Sequence, residues 1–283
     1  MVRRVIAIAA VVTLIIVGVR FAPSPPPSSA VVGAMGRGPT VVLVHGLGSD
    51  YDDWLPTARD LARDHRVVLV ELPGHGVTPM AAPFTLEQAS LALDRAIADE
   101  SPHTPVVLVG HSIGGLVAAF EAKRSPQRVR ELVLVETALA PQSTKADNDT
   151  LFALLERDWS GTLRTIYHSF GRDSAQSEML WREALQLRHD DMRQWIRVAV
   201  SADLSKEAAG LTMPVLAVLS PRSWEPDEPW THAATALGYT AVPHLKGIRF
   251  DDCGHFLMLD QPTLLANTIR RFCAPTDSVF ALR

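Results

Sequence analysis

Short runs of consecutive apolar residues recur from residue 40 onward, two of them opened by a polar residue: TVVLV at 40–44, RVVLV at 66–70, VVLV at 106–109, LVLV at 132–135 and VLAVL at 215–219, with a weaker run at 248–250. A strand with one wet face alternates apolar and polar residues, whereas a strand covered on both faces does not. These six runs therefore read as parallel strands sandwiched between helices. Helical periodicity fills the intervals. Segment 85–100 sets Leu86, Ala89, Leu93 and Ile97 on one face, and 54–63, 114–123 and 261–272 behave alike. Strand and helix alternating in this way predict a mostly parallel, doubly wound α/β sheet of about six strands.

Between Leu139 and Met213 the strand signal stops, and helical patterns appear at 149–157, 162–169, 177–187 and 190–202. So long an interruption between two strands of one sheet is too large for a loop and predicts a helical cap at about 140–213. Trp159, Trp181 and Trp195 fall in it. Their expected role is to glue the cap to the sheet, with an acyl pocket as the sharper alternative.

The first residues have a different pattern. Arg3 and Arg4 precede an apolar run, 5–19, in which Thr13 is the sole polar residue, and residues 23–29 are all Pro or Ser. A basic start and an apolar run shorter than the roughly 20 residues of a full membrane span predict a signal peptide or N-terminal anchor over 1–22. Residues 23–37 then read as a Pro/Ser-rich linker, and 38–275 as the folded domain. The two arginines favour a cytoplasmic N-terminus and an exported catalytic portion, membrane-anchored or secreted.

Composition narrows the functional class. With 47% hydrophobic and 20% charged residues the chain can bury a large core. A net charge of −4 without any basic run excludes a nucleic-acid binder. Cys253 and Cys273 lack the spacing of a zinc site. The helix between them would hold them roughly 17 Å apart, too far for a disulfide, so two free thiols are expected. With no HExxH, ligand cluster or GK[ST] loop, neither a metal nor a cofactor is expected.

Candidate chemistry sits at the ends of the predicted strands. Gly110-His111-Ser112-Ile113-Gly114 follows the run at 106–109 and opens a helix, the context in which a G-x-S-x-G sharp turn lifts a serine above a sheet edge. His45-Gly46-Leu47-Gly48 ends the first of the apolar runs, so the backbone N–H of Leu47 can face that of Ile113 and supply two donors to an oxyanion. Asp251-Asp252-Cys253-Gly254-His255 follows the last strand and places His255 at the same edge as a general base.

HGLG, LPGHG, GHSIGG and DCGHF, in that order, resemble the α/β-hydrolase superfamily over roughly residues 38–273. The resemblance implies an eight-stranded sheet, a Ser–His–acid triad and esterase activity. Only about ten residues separate the Pro/Ser stretch from Thr40, so the first two strands of that fold are expected to be missing or rudimentary. Ser112 in place of an aspartate, and Ile113 in place of a tryptophan, exclude dehalogenase and epoxide-hydrolase chemistry. The expected function is hydrolysis of a carboxylic ester, of apolar or lipid character, through an acyl-enzyme. A C–C bond hydrolase or cofactor-free lyase of the same fold, and a non-catalytic ligand-binding scaffold, are the competing readings.

The acid departs from the family pattern. After 215–219, where the superfamily places Asp, this chain reads Ser220-Pro221-Arg222-Ser223-Trp224, with Ser223 near the usual position. Glu136 ends the run at 132–135 and is taken as the acid; Asp227 competes, with Asp251 and Glu225 behind it.

Overall fold

The computed structural model describes residues 30–76, 78–80 and 84–274. The anchor or signal segment read at 1–22, and residues 23–29 of the linker, lie outside the described residues. Among the described residues no helix is long and apolar enough to cross a membrane.

Seven strands form one sheet: β1 (Val31–Met35), β2 (Thr40–Val44), β3 (Arg66–Val70), β4 (Val106–His111), β5 (Val129–Val135), β6 (Val215–Leu219) and β7 (Leu245–Arg249). Their order is β1-β3-β2-β4-β5-β6-β7, with β1 antiparallel to β3 and every other pair parallel. The expected six strands therefore become seven, and the stretch read as linker to residue 37 contains a strand. β1 escaped the sequence reading because it is a five-residue, half-exposed edge strand, VVGAM, with a register irregularity between Val31 and Gly33. Its run is short, broken by a glycine and follows closely on the Pro/Ser stretch, so it does not stand out as a strand although Val31 packs on one face of the sheet and Val32 and Met35 on the other.

The helices in chain order are α1 (Leu55–Leu61), α2 (Leu86–Glu100), α3 (Ile113–Arg124), α4 (Lys145–Arg157), α5 (Trp159–His168), α6 (Ser174–Ala184), α7 (His189–Ser201), α8 (Trp230–Ala236), α9 (Leu257–Asp260) and α10 (Pro262–Cys273). The central strands bury both faces. Val42 and Val44 of β2 pack with Leu93 and Ile97 of α2 and Val117 of α3, while Val41 and Leu43 face the other way, towards Leu61 of α1 and Leu265 and Ile269 of α10. Burying such a side chain fully contributes about 1.5–3 kcal/mol, and this two-sided core is what aligns the strands.

Helices α4–α7 form the cap, inserted between β5 and β6. Trp195 is the clasp: fully buried, it donates its indole N–H to Pro73 O at 2.7 Å and meets His75 and Phe84 edge-on. Trp159 and Trp181 serve the cap internally, Trp159 against His189 and Trp181 donating to Ser160 O at 3.0 Å. Cys253 and Cys273 are both free.

Register fixes where chemistry can occur. Val44 lies opposite Gly110, His111 opposite Val135, Val135 opposite Val218, and Leu219 opposite Arg249. The loops that begin at His45, Ser112, Glu136, Ser220 and Phe250 thus leave the sheet side by side at its C-terminal edge. In open α/β sheets this edge is where ligands bind.

Candidate active site

Ser112 adopts φ 52°, ψ −121° between β4 and α3. A non-glycine residue in this region costs on the order of 1–3 kcal/mol and persists only when its surroundings impose it. Here they do. A Cβ on Gly114 would lie 2.1 Å from His45 O, and one on Gly110 2.5 Å from Gly114 O, so no side chain fits on either flank of the turn. Ser112 N donates to Val135 O at 2.9 Å, and the Thr137 hydroxyl lies 3.1 Å from both Ser112 O and Val135 O, which stitches the turn to the end of β5. The Ser112 side chain keeps part of its surface open, and Ile113 begins α3 immediately after it.

The His45–Gly48 turn lies alongside. A Cβ on Gly46 would be 3.3 Å from Ser112 Cβ, which puts Leu47 on the serine's flank. Both ends of the next peptide are held: Leu47 O accepts the Tyr167 hydroxyl of α5 at 2.8 Å, and Gly48 N donates to His75 Nε2 at 3.3 Å. Burial pushes the His45 imidazole down to about 4, so it is neutral and accepts the Leu72 amide at Nε2. Burial also holds His75 and His111 well below the ordinary histidine range. These three rings are structural acceptors and donors rather than charges.

His255 is gripped on every side. Its carbonyl accepts from His111 Nε2 at 2.9 Å, its amide donates to Phe170 O at 2.8 Å, and the Phe170 ring stacks on its imidazole with centroids 4.6 Å apart. Its Nδ1 donates to Glu136 Oε2 at 3.1 Å, which places the proton on Nδ1 and leaves Nε2 free to accept one.

Glu136 is the carboxylate that meets His255. Its side chain is wholly buried, it stands at φ 47° on the tip of β5, and its amide donates to Val218 O at 3.0 Å. The competitors are elsewhere: Asp227, Glu225 and Asp251 are exposed, and Asp251 pairs with Arg249 at 3.2 Å. The structure thus brings Glu136 and His255 into contact, with Ser112, Leu47 and Ile113 on the adjoining loops of the same edge. Residues missed by sequence reasoning are Ser220 and Ser223, which both bond Glu136, together with Phe170 and Tyr167 from the cap side. The Ser-Pro step at 220–221 marks a turn; nothing in the sequence marks what that turn holds.

A cleft of about 920 Å³ opens beside the turn, between Gly48 and Ser49, the loop around Met80 and Phe84, and Leu187 and Asp191 of the cap. Ser112 and His255 lie outside its lining. Behind it, burial pushes the Asp53 carboxyl up to about 7 against the opposing hydrogen bond from Ser49. Among the described residues no cluster of His, Cys, Asp or Glu could hold a metal ion.

Comparison with known proteins places the fold. The model of the alpha/beta hydrolase family matches residues 41–268, and the chain belongs to that family. Among curated relatives, the pimeloyl-[acyl-carrier protein] methyl ester esterase of Xanthomonas axonopodis pv. citri (strain 306) is 28% identical over 263 residues, covering 86% of this chain and 98% of that protein. A thermophilic esterase from Thermogutta terrifontis superposes with a TM-score of 0.72 at 21% identity, covering 85% of this chain and 91% of the other. A bacterial membrane phospholipase A superposes with a TM-score of 0.67 at 21% identity, over 96% and 98% of the two chains. At these identities the solved structures speak for the fold. The curated relatives that match over most of this chain's length are methyl ester esterases.

Proposed function

We propose that this protein is a serine hydrolase that cleaves carboxylic esters through an acyl-enzyme intermediate. The observation that carries the reading is a serine held at positive φ above the sheet edge, with a histidine on the neighbouring loop whose Nδ1–H is bound by a buried carboxylate. In this reading Ser112 Oγ attacks the ester carbonyl while His255 Nε2 takes its proton. The backbone N–H groups of Leu47 and Ile113 donate to the tetrahedral oxyanion. Collapse breaks the C–O bond, and His255 returns the proton to the leaving alcohol. Water, activated by the same base, then frees the acid and restores Ser112. Glu136 fixes the imidazole tautomer and stabilises its cationic form. No cofactor or metal enters the scheme.

An ester of apolar or lipid character is the proposed substrate. Met80, Phe84 and Leu187 give the cleft one residue beyond Leu47 an apolar wall, set among polar and charged side chains that include Asp50, Arg188 and Asp191. The test is reaction with a fluorophosphonate, followed by turnover of aryl esters of graded acyl length. The expected result is stoichiometric labelling of Ser112 and kcat/KM that rises with chain length before it falls. A chain that resists the label and turns over no aryl ester at any length overturns the proposal.

We further propose that residues 1–22 tether an exported domain to the membrane, on the strength of Arg3, Arg4 and the apolar run at 5–19. The full-length protein should partition with membranes, and a chain shortened to start at Ser29 should be soluble and active, since β1 begins at Val31. A mature N-terminus that begins after Ala22 or Ala30 in the native host would replace the tether with a cleaved signal.

A further inference from the structure

The carboxylate of Glu136 is enclosed by three donors. Oε1 accepts the Ser220 amide at 2.5 Å, and Oε2 accepts both the Ser223 hydroxyl at 2.9 Å and His255 Nδ1 at 3.1 Å. Two of the three come from one tight turn after β6. Ser220 O accepts from Ser223 N at 3.1 Å and Trp224 N at 3.0 Å, Ser220 Oγ accepts from Arg222 N at 3.3 Å, and Pro221 presets the backbone at the turn's second position. The turn sits where the superfamily resemblance leads one to expect an acid; in this chain it carries donors aimed at an acid from the next strand.

A glutamate needs such a holder more than an aspartate does. It has one more rotatable bond, and the final torsion about its carboxylate is broad, so the strand tip alone leaves the oxygens free to turn. Resting on the reading that Glu136 orients His255, we propose that Ser223 is a positioning residue: its hydroxyl commits Oε2 to the imidazole while the Ser220 amide anchors Oε1. Ser223 acts through Glu136, the carboxylate that its hydroxyl bonds.

The experiment measures kcat and KM separately on one activated ester. Glu136→Gln is assayed first, because retained activity there removes the underlying reading of the acid and with it this proposal. With that variant impaired, Ser223→Ala is expected to lower kcat about tenfold, the scale of one hydrogen bond to a charged group, with KM within about twofold. Ser223→Thr keeps the hydroxyl and should stay near the parent, whereas Ser223→Val, of the same shape without it, should follow Ala. If Ser223→Ala does not fold, the Thr and Val pair decides. In a Glu136→Ala background the loss on Ser223→Ala should shrink below about twofold, since the partner is gone. Unchanged kcat in the Ala or Val variant, or the same tenfold loss with residue 136 already Ala, overturns the proposal while leaving the role of Glu136 intact.

Discussion

Replacing Ser112 by alanine is expected to lower ester turnover by about 10³-fold or more and to leave the fold in place. The size of the loss follows from the proposed covalent step: without Oγ there is no acyl-enzyme, and water must attack unaided in a site that retains its oxyanion donors. The structural cost is small. The Ser112 side chain makes no capping bond to α3, and the strain at φ 52° is imposed by the backbone, which alanine meets about as well as serine. Circular dichroism and Tm should match the parent while fluorophosphonate labelling disappears. Activity above a few per cent in the variant would end the serine-nucleophile reading.

The second large effect concerns the acid. Glu136→Gln should lower turnover by about 10²–10⁴-fold, and Asp227→Asn, at an exposed position, should change it less than about twofold. Glutamine is nearly the same shape but has one acceptor where glutamate has two. If its oxygen stays on the Ser220 amide, its NH₂ faces His255 Nδ1 and forces the imidazole proton to the other nitrogen, where the ring can no longer accept from Ser112. If the oxygen turns to His255, the NH₂ meets the buried Ser220 N–H and leaves that donor unpaired. The second arrangement costs roughly 1–3 kcal/mol of stability, or about 2–4 °C in Tm per kcal/mol in a domain of this size. Both variants therefore remain folded at assay temperature, and the comparison reads catalysis. A loss carried by Asp227→Asn instead would return the acid to the loop after β6.

Much of this was legible in the chain because burial writes itself into strands with two covered faces. TVVLV, VVLV, LVLV and VLAVL each mark a strand of the observed sheet, and GHSIG is readable because a sharp turn leaves no room for side chains beside Ser112. β1 was illegible because it is short, half-exposed and interrupted by a glycine closely after the Pro/Ser stretch. Helix α8 was also unmarked, at seven residues and without a sustained apolar stripe. Within the site, Glu136 could be inferred from its place at a strand end. The contacts of Ser223, Phe170 and Tyr167 could not, because each depends on which loop lands beside which across 87, 85 and 120 residues of chain. Local pattern carries no record of such meetings.

The chain distance between partners also bears on how the site is assembled. Ser112 and Glu136 belong to one β4–α3–β5 unit and are stitched together through Val135 and Thr137, 23 and 25 residues from the serine. His255 meets Glu136 across 119 residues, with the entire cap between them. Closing the longer loop costs only about 1.4 kcal/mol more than closing one of 24 residues, so the excess falls on kinetics rather than on the finished fold. During folding the serine–glutamate half can form as a local nucleus while the polypeptide is still growing. On the proposed chemistry, a chain whose last strand has not yet joined lacks its base.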